Sequence, residues 1–237
     1  MYEPADNPRH RRVRSFVRRP GRLTPAQQRA LEQLLPRFEV KPENPDRASP
    51  DLRAQFERNA ALVVEIGFGN GEALAWMASN EPHKNFIGIE VHEPGVGRLL
   101  RRIDELELDN VRVGMCDAVE LLRTQARPGS IDEIRIFFPD PWPKKRHHKR
   151  RLIQAAFIEL LARVLKPGGR LHLATDWQPY ADWMREQLDP QPLFRHDHNP
   201  VARPAWRPET HFEKRGLGKG HAISDLLYYR TADPESS

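Results

Sequence analysis

Cysteine is almost missing from this chain of 237 residues: Cys116 stands alone. One thiol makes no intrachain disulfide and no multi-cysteine zinc site, which fits a reducing compartment. Long apolar runs are missing too, and no stretch approaches the ~20 residues that cross a bilayer. The N-terminus lacks the apolar core of a secretory signal, so the sequence reads as a soluble, cytoplasmic protein without a membrane partner. Hydrophobic residues make up only 38% and aromatics 8%, against 30% charged residues and a mean hydropathy of -0.72. The core must therefore be concentrated in particular segments, with polar, disordered flanks. Acidic residues are the scarcer sign, 33 against 38 Lys plus Arg, for a net charge of +5. A basic chain suggests a polyanionic partner, and this length suffices to bury one sizeable core.

Residues 1–22 carry Arg9, Arg11, Arg12, Arg14, Arg18, Arg19 and Arg22 against Glu3 and Asp6, with no apolar period, and read as a flexible basic arm. Residues 23–60 read as a helical leader and linker. Thr24 and Pro25 supply an N-cap and first turn, Ala30, Leu31, Leu34 and Leu35 a stripe, and prolines punctuate 41–50 before a short helix at 51–58. From Ala61 short apolar runs alternate with helical stretches, the pattern of βα units and an α/β domain over 61–230 with a mostly parallel sheet. Strands are expected at 61–66, 85–90, 111–116, 131–137 and 170–175, with a last one at 222–229. Helices are expected to start near Gly71, Glu93, Ala118 and Arg151, the last over 152–165, with another at 178–188 and a disordered tail at 231–237.

The first strand runs into Glu65-Ile66-Gly67-Phe68-Gly69-Asn70-Gly71, a turn whose alternate glycines let backbone pass very near a ligand. A dinucleotide fingerprint needs its third glycine one place later than Gly71, which disfavours a nicotinamide cofactor. Glu65 would repel a pyrophosphate but attract a cationic amino-acid moiety. The second strand ends in Glu90, placed to accept the hydroxyls of a ribose. The third ends in Asp117, which suits either an adenine amino group or the N-cap of the next helix. The fourth leads into Pro139-Asp140-Pro141-Trp142-Pro143-Lys144-Lys145, a stiff loop presenting one carboxylate. Between Lys144 and Arg151 six of eight residues are cationic and His147 and His148 are the others. Cations before a helix N-terminus oppose its dipole, so a polyphosphate backbone is their expected partner. Lys166-Pro167-Gly168-Gly169-Arg170 reads as a helix stop, Asp176 as a candidate substrate contact at a strand tip, and the glycine-rich stretch 210–221 as a hairpin. His196 and His198 have no ligand cluster beside them in sequence, so they read as structural and no metal site is expected.

Glu-Ile-Gly-Phe-Gly-x-Gly at 65–71, Gly-Ile-Glu at 88–90, Pro-Asp-Pro-Trp-Pro-Lys-Lys at 139–145, Ala-Thr-Asp at 174–176 and Thr-x-Phe-Glu at 210–213 together resemble the bacterial tRNA (guanine-N7-)-methyltransferase family. The resemblance covers residues 14–229, and the proline-rich segment is its most specific part. It implies a Rossmann-like class I methyltransferase fold with helices on both faces of the sheet, and S-adenosyl-L-methionine as cofactor, released as S-adenosyl-L-homocysteine. By the same resemblance Glu65, Gly67, Gly69, Gly71, Glu90, Asp117 and Asp140 hold the cofactor, with Asp140 the catalytic residue. Lys144, Asp176, Thr210, His211, Phe212 and Glu213 would contact the guanine or its surroundings. Arg146, His147, His148, Lys149, Arg150 and Arg151 would bind the tRNA backbone. The family's substrate is the guanine at position 46 in the variable loop, and no obligate protein partner is implied. The alternative is an RNA-binding protein on a methyltransferase fold that has lost catalysis, and the presence of Asp140 argues against it.

Overall fold

Strand runs that are apolar on both faces need cover on both sides, and the chain supplies it by alternating strand and helix. The computed structural model describes residues 21–40, 51–198, 203–218 and 220–232, with only the backbone of His211 and Phe212. Nearly all of the basic arm, the proline-rich linker at 41–50 and most of the expected tail lie outside the described residues. Strands β1 (Ala61–Ile66), β2 (Lys84–Ile89), β3 (Val111–Gly114), β4 (Ile131–Phe137) and β5 (Leu165–Thr175) run parallel. Two further strands, β6 (Phe194–His196) and β7 (Ser224–Arg230), complete the order β3-β2-β1-β4-β5-β7-β6, with β7 antiparallel to both neighbours. The edge strand β6 was not expected; three residues are too few to show a period.

The helices are α1 (Pro25–Gln33), α2 (Leu35–Phe38), α3 (Glu72–Asn80), α4 (Glu93–Glu105), α5 (Ala118–Gln125), α6 (Ala155–Val164), α7 (Gln178–Leu188) and α8 (His211–Leu217). One apolar cluster packs Val64, Ile134 and Leu173 against Leu122, Ile158 and Met184 of α5, α6 and α7. On the opposite face Val63 and Phe86 meet Leu74, Met77 and Leu99 of α3 and α4, and Ala30 of α1 joins them. The leader is thus fastened to the domain: Gln27 of the Thr24 capping box also donates its side-chain amide to Pro94 O at 3.1 Å.

Four expectations are corrected. The segment at 51–58 is only a 3-10 turn, Leu52–Gln55. Residues 166–170 do not stop a helix and turn; α6 ends at Val164 and β5 starts at once, with Lys166-Pro167-Gly168-Gly169 bulging out of register between the Ile131–Leu165 and Glu133–Arg170 pairs. Residues 210–221 are no hairpin, because α8 occupies their first half. The long helix starts at Ala155 and not at Leu152, since Lys145–Arg150 forms its own 3-10 turn.

Candidate functional site

Chain order reverses on either side of β1, so the carboxyl ends of β1, β2 and β4 open a crevice there. The glycine turn crosses it. Gly67 and Gly71 have φ of 75° and 74°, in the left-handed region where a Cβ is strained. At Gly67 no atom lies within 4 Å of where a Cβ would stand, so conformation and not crowding demands glycine, and the space above it is open. Glu90 shapes the turn from below. Its Oε2 accepts the Gly69 N–H at 2.9 Å, and its Oε1 accepts those of Val91 and His92 at 2.7 and 3.1 Å.

Two clefts flank the turn and share Gly67, Gly69, Phe137 and Phe138. The larger, about 570 Å³, brings together Glu90, Asp117 and Asp140 from the tips of three strands, with Cys116 and Trp142 beside them. The smaller, about 430 Å³, lies towards α3 and holds Glu65, Trp76, Arg102 and Thr210. Gly71, Lys144, Asp176 and Glu213 line neither. Asp117 does cap α5, its Oδ1 accepting the Val119 N–H at 2.9 Å, so the local reading of that residue holds while its carboxylate also edges the larger cleft.

Glu65 is the electrostatic anomaly. It is 2% exposed, its Oε2 has no hydrogen-bond partner among the described residues, and burial pushes its carboxyl up to about 7, with Arg135 pulling down and Glu90 pushing up. A cationic group entering the smaller cleft would satisfy that oxygen.

The loop after β4 is strained as well as stiff. Phe138 and Trp142, neither glycine, have φ of 52° and 44°, and between them Asp140 is exposed at the cleft mouth. Three prolines and the packing of Arg151 hold this shape: Arg151 Nε donates to Pro141 O at 3.0 Å while its guanidinium lies 5.1 and 5.0 Å from the Tyr180 and Trp183 rings. Arg150 covers the Trp142 ring at 5.2 Å, His147 meets it edge-on, and His148 meets Trp183. Lys144, Lys145, Arg146 and Lys149 are exposed.

At the smaller cleft α8 begins with a reciprocal capping box: the Thr210 hydroxyl accepts the Glu213 N–H at 3.1 Å, and the Glu213 side chain returns to the Thr210 N–H. Asp176 is half-buried against Gly216 of α8, with His221 Nδ1 at 3.5 Å from its Oδ2. His196 stacks on Tyr228 with ring centres 4.4 Å apart, a structural role. Among the described residues no group of three His, Cys, Asp or Glu side chains is placed to hold a metal, and no helix is long and apolar enough to cross a membrane.

Residues 59–226 match a family model described as "Putative methyltransferase". A tRNA (guanine-N(7)-)-methyltransferase from Halorhodospira halophila is 53% identical over 221 residues, covering 92% of this chain and 95% of that one. The chain belongs to the tRNA (guanine-N(7)-)-methyltransferase family. Another relative with that name, from Xanthomonas euvesicatoria, is 55% identical over 93% of this chain, which spans only 64% of the relative's length. The fold agrees: the 16S rRNA methyltransferase KamB superposes with a TM-score of 0.55 at 12% identity, over 76% of this chain and 91% of that one. The chain is thus an enzyme of a methyltransferase family on a class I methyltransferase fold.

Within this family member two of the residues expected at the substrate or RNA are buried against protein partners. Arg151 is 4% exposed and its guanidinium meets Pro141, Tyr180 and Trp183, so it braces the proline-rich loop. Glu213 is 3% exposed and turned inward onto Arg207, so it organises α8 without facing the cleft. The Gln154 side chain at the N-cap of α6 ties the Lys145–Arg150 turn to the helix start, donating to Lys149 O and Arg151 O at 2.9 and 2.7 Å. Of His211 and Phe212 no side chain is described. Arg207, Asp225, His172 and Arg135 escaped sequence reading. One signal was available, the Thr-x-x-Glu spacing at 210–213, which is a capping box and hence a helix start.

Proposed function

We propose that this protein transfers the methyl group of S-adenosyl-L-methionine to N7 of the guanine at position 46, in the variable loop of cytoplasmic tRNA. The observation that carries this reading is the convergence of Glu90, Asp117 and Asp140 on one cleft beside the glycine turn, joined through Phe137 and Phe138 to a second that holds Glu65. The donor set suits the cofactor: Glu65 offers an unsatisfied carboxylate oxygen for an ammonium group, and Gly67 leaves room for backbone contact. Glu90 Oε1 is filled by the Val91 and His92 N–H groups, but its Oε2 accepts only the Gly69 N–H and keeps a lone pair for a ribose hydroxyl, and Asp117 has an oxygen besides the one that caps α5 for an adenine amino group.

When bound, S-adenosyl-L-methionine supplies a methyl group on a sulfonium, open to in-line attack. Guanine N7 presents an in-plane lone pair and no proton, so the chain needs no general base there, and the chemistry asks for no metal. Positioning and charge stabilisation are what its residues provide. Asp140, at the cleft mouth, stabilises the positive charge that develops on the purine and accepts hydrogen bonds from the base edge. Lys144, Asp176 and Thr210 flank the approach of the base, and Arg146, His147, His148, Lys149 and Arg150 take the tRNA phosphates.

The test is to incubate the protein with labelled S-adenosyl-L-methionine and tRNA, digest the RNA and identify the modified nucleoside. Label is expected in 7-methylguanosine, and it should vanish with a tRNA whose position 46 is adenine. Label in another nucleoside overturns the reading, and tRNA binding with no label at all would favour a catalytically silent RNA-binding protein. Asp140→Asn keeps the shape and removes the charge; single-turnover transfer should slow by about a hundredfold or more, with cofactor affinity changed less.

A further inference from the structure

On the α3 side of the sheet, β4, β5 and β7 carry charged side chains where a core would be apolar. Arg207, 1% exposed, stands at the centre. Its Nε and Nη2 fork onto the two oxygens of Asp225 on β7, each at 2.7 Å, while Nη1 and Nη2 reach both oxygens of Glu213 on α8. Asp225 Oδ1 also meets His172 Nε2 on β5 at 2.7 Å. The Arg207 guanidinium lies 5.8 and 5.9 Å from the Phe137 and Phe138 rings, and the Phe137 edge rests on His172 with ring centres 4.9 Å apart.

The residues this network touches come from separate elements that line one cleft. Phe137 and Phe138 form the rim that both clefts share, and Phe138 holds a left-handed backbone, which persists only where the surroundings over-determine it. Thr210, Glu209 and Pro208 line the smaller cleft together with that rim. The Thr210 end of α8 is in turn set by Glu213, which Arg207 grips. A buried ion-pair network is poor at adding stability, because desolvation offsets the attraction, but a planar guanidinium forked onto two carboxylates fixes angles as well as distances.

We propose that Arg207 is a positioning residue for methyl transfer: through Asp225 and Glu213 it holds the Thr210 wall and the Phe137–Phe138 rim in one frame, so that the base presented on one side meets the donor held on the other. This rests on the methyl-transfer reading above, and it predicts a loss in the chemical step rather than in cofactor binding, which Glu90 and Asp117 serve from the larger cleft and Glu65 serves from β1, none of them bonded to Arg207.

The experiment compares wild type with Arg207→Lys, which keeps the charge and cannot fork onto two carboxylates, and with Asp225→Asn, which keeps the shape and serves if the lysine variant folds poorly. Three quantities are read: the single-turnover methylation rate at saturating tRNA and S-adenosyl-L-methionine, cofactor affinity by calorimetry, and hydrogen exchange at the Glu213 and Lys214 amides, both held by Thr210. The rate is expected to fall about tenfold or more while cofactor affinity stays within about twofold, the split that marks loss of an interaction made in the transition state. Exchange at those two amides should quicken about tenfold with β1 to β3 unchanged. Combined with Thr210→Ala, the rate losses should be clearly less than multiplicative, since both act on one wall. Unchanged exchange at Glu213 and Lys214 overturns the proposal whatever the enzyme does. Rate and cofactor affinity falling together with the melting temperature overturn it in favour of a structural role. Absence of 7-methylguanosine with wild type overturns the methyl-transfer reading instead, and the exchange measurement still decides whether Arg207 sets the Thr210 wall.

Discussion

Glu65 and Glu133 sit on neighbouring strands, buried 2% and 4% exposed, and they titrate in opposite directions. Burial alone would raise Glu133, yet Arg135 and Arg170 surround it, donating to its oxygens at 2.6 and 2.7 Å, and draw its carboxyl down to about 2. Glu65 pairs in register with Arg135 across the β1–β4 ladder, but that guanidinium is turned to Glu133, Glu81 and Met77, so burial wins and carries Glu65 up to about 7. A carboxylate whose partners are all protein belongs to the scaffold. One buried at a cleft wall with an oxygen left over is reserved for something the protein binds.

The largest effect should come from breaking the scaffold member. Glu133→Ala leaves Arg135 buried with one partner fewer and should cost about 3–5 kcal/mol of stability, read by denaturant unfolding. Cofactor affinity per folded molecule should stay near wild type; a strong loss would merge the two regions into one site.

Glu65→Gln should do the reverse. Removing an uncompensated buried carboxylate leaves stability equal or higher, while S-adenosyl-L-methionine should bind about 10- to 100-fold more weakly, as expected for a lost charged hydrogen bond. Calorimetry that finds wild-type affinity would take Glu65 out of the cofactor site.

The pH dependence sharpens the contrast. Folding raises the Glu65 carboxyl from 4.5 to about 7, so its contribution to stability weakens as pH climbs through that window and stays at its least favourable above it. Glu133 is lowered from 4.5 to about 2, so its contribution is fully present above 4.5 and is lost as pH falls towards 2. Binding a cationic amino group requires Glu65 ionised, so cofactor affinity should rise with pH up to about 7 and release a proton on binding below it. Glu65→Gln should flatten that rise; an equal slope in both proteins would assign it to another group.

The smallest effect is expected at Asp117, where scaffold and site overlap. Asp117→Ala should lose about 1 kcal/mol of stability with the α5 cap. Asp117→Asn keeps the cap acceptor and should restore stability without restoring cofactor affinity; recovery of both would leave Asp117 only its capping role.

Much of the site was legible along the chain because the features are local. A glycine turn after a strand, acids at strand ends and a proline-stiffened loop each depend on neighbours in sequence, and β1 and β4 have the expected bounds. One local signal competes with another: the capping box at Thr210 and Glu213 starts a helix, while the glycines at 216, 218 and 220 give the same stretch the composition of a hairpin. The cationic run misled differently. Its eight residues look alike in sequence, yet Arg151 points inward and Lys149 outward.

The sequence by itself determined the alternation of strand and helix, the left-handed glycines of the turn, and the presentation of Glu90, Asp117 and Asp140 at strand tips, because backbone conformation answers to residues a few positions away. Only the tertiary structure decided which charges are buried and by whom they are met. Arg207 reaches Glu213 six positions on and Asp225 eighteen on, and Arg135 reaches Glu81 fifty-four positions back. The sign of a buried group's titration, and with it the difference between a strut and a binding site, depends on charges brought close through space. Packing, not order along the chain, sets those distances.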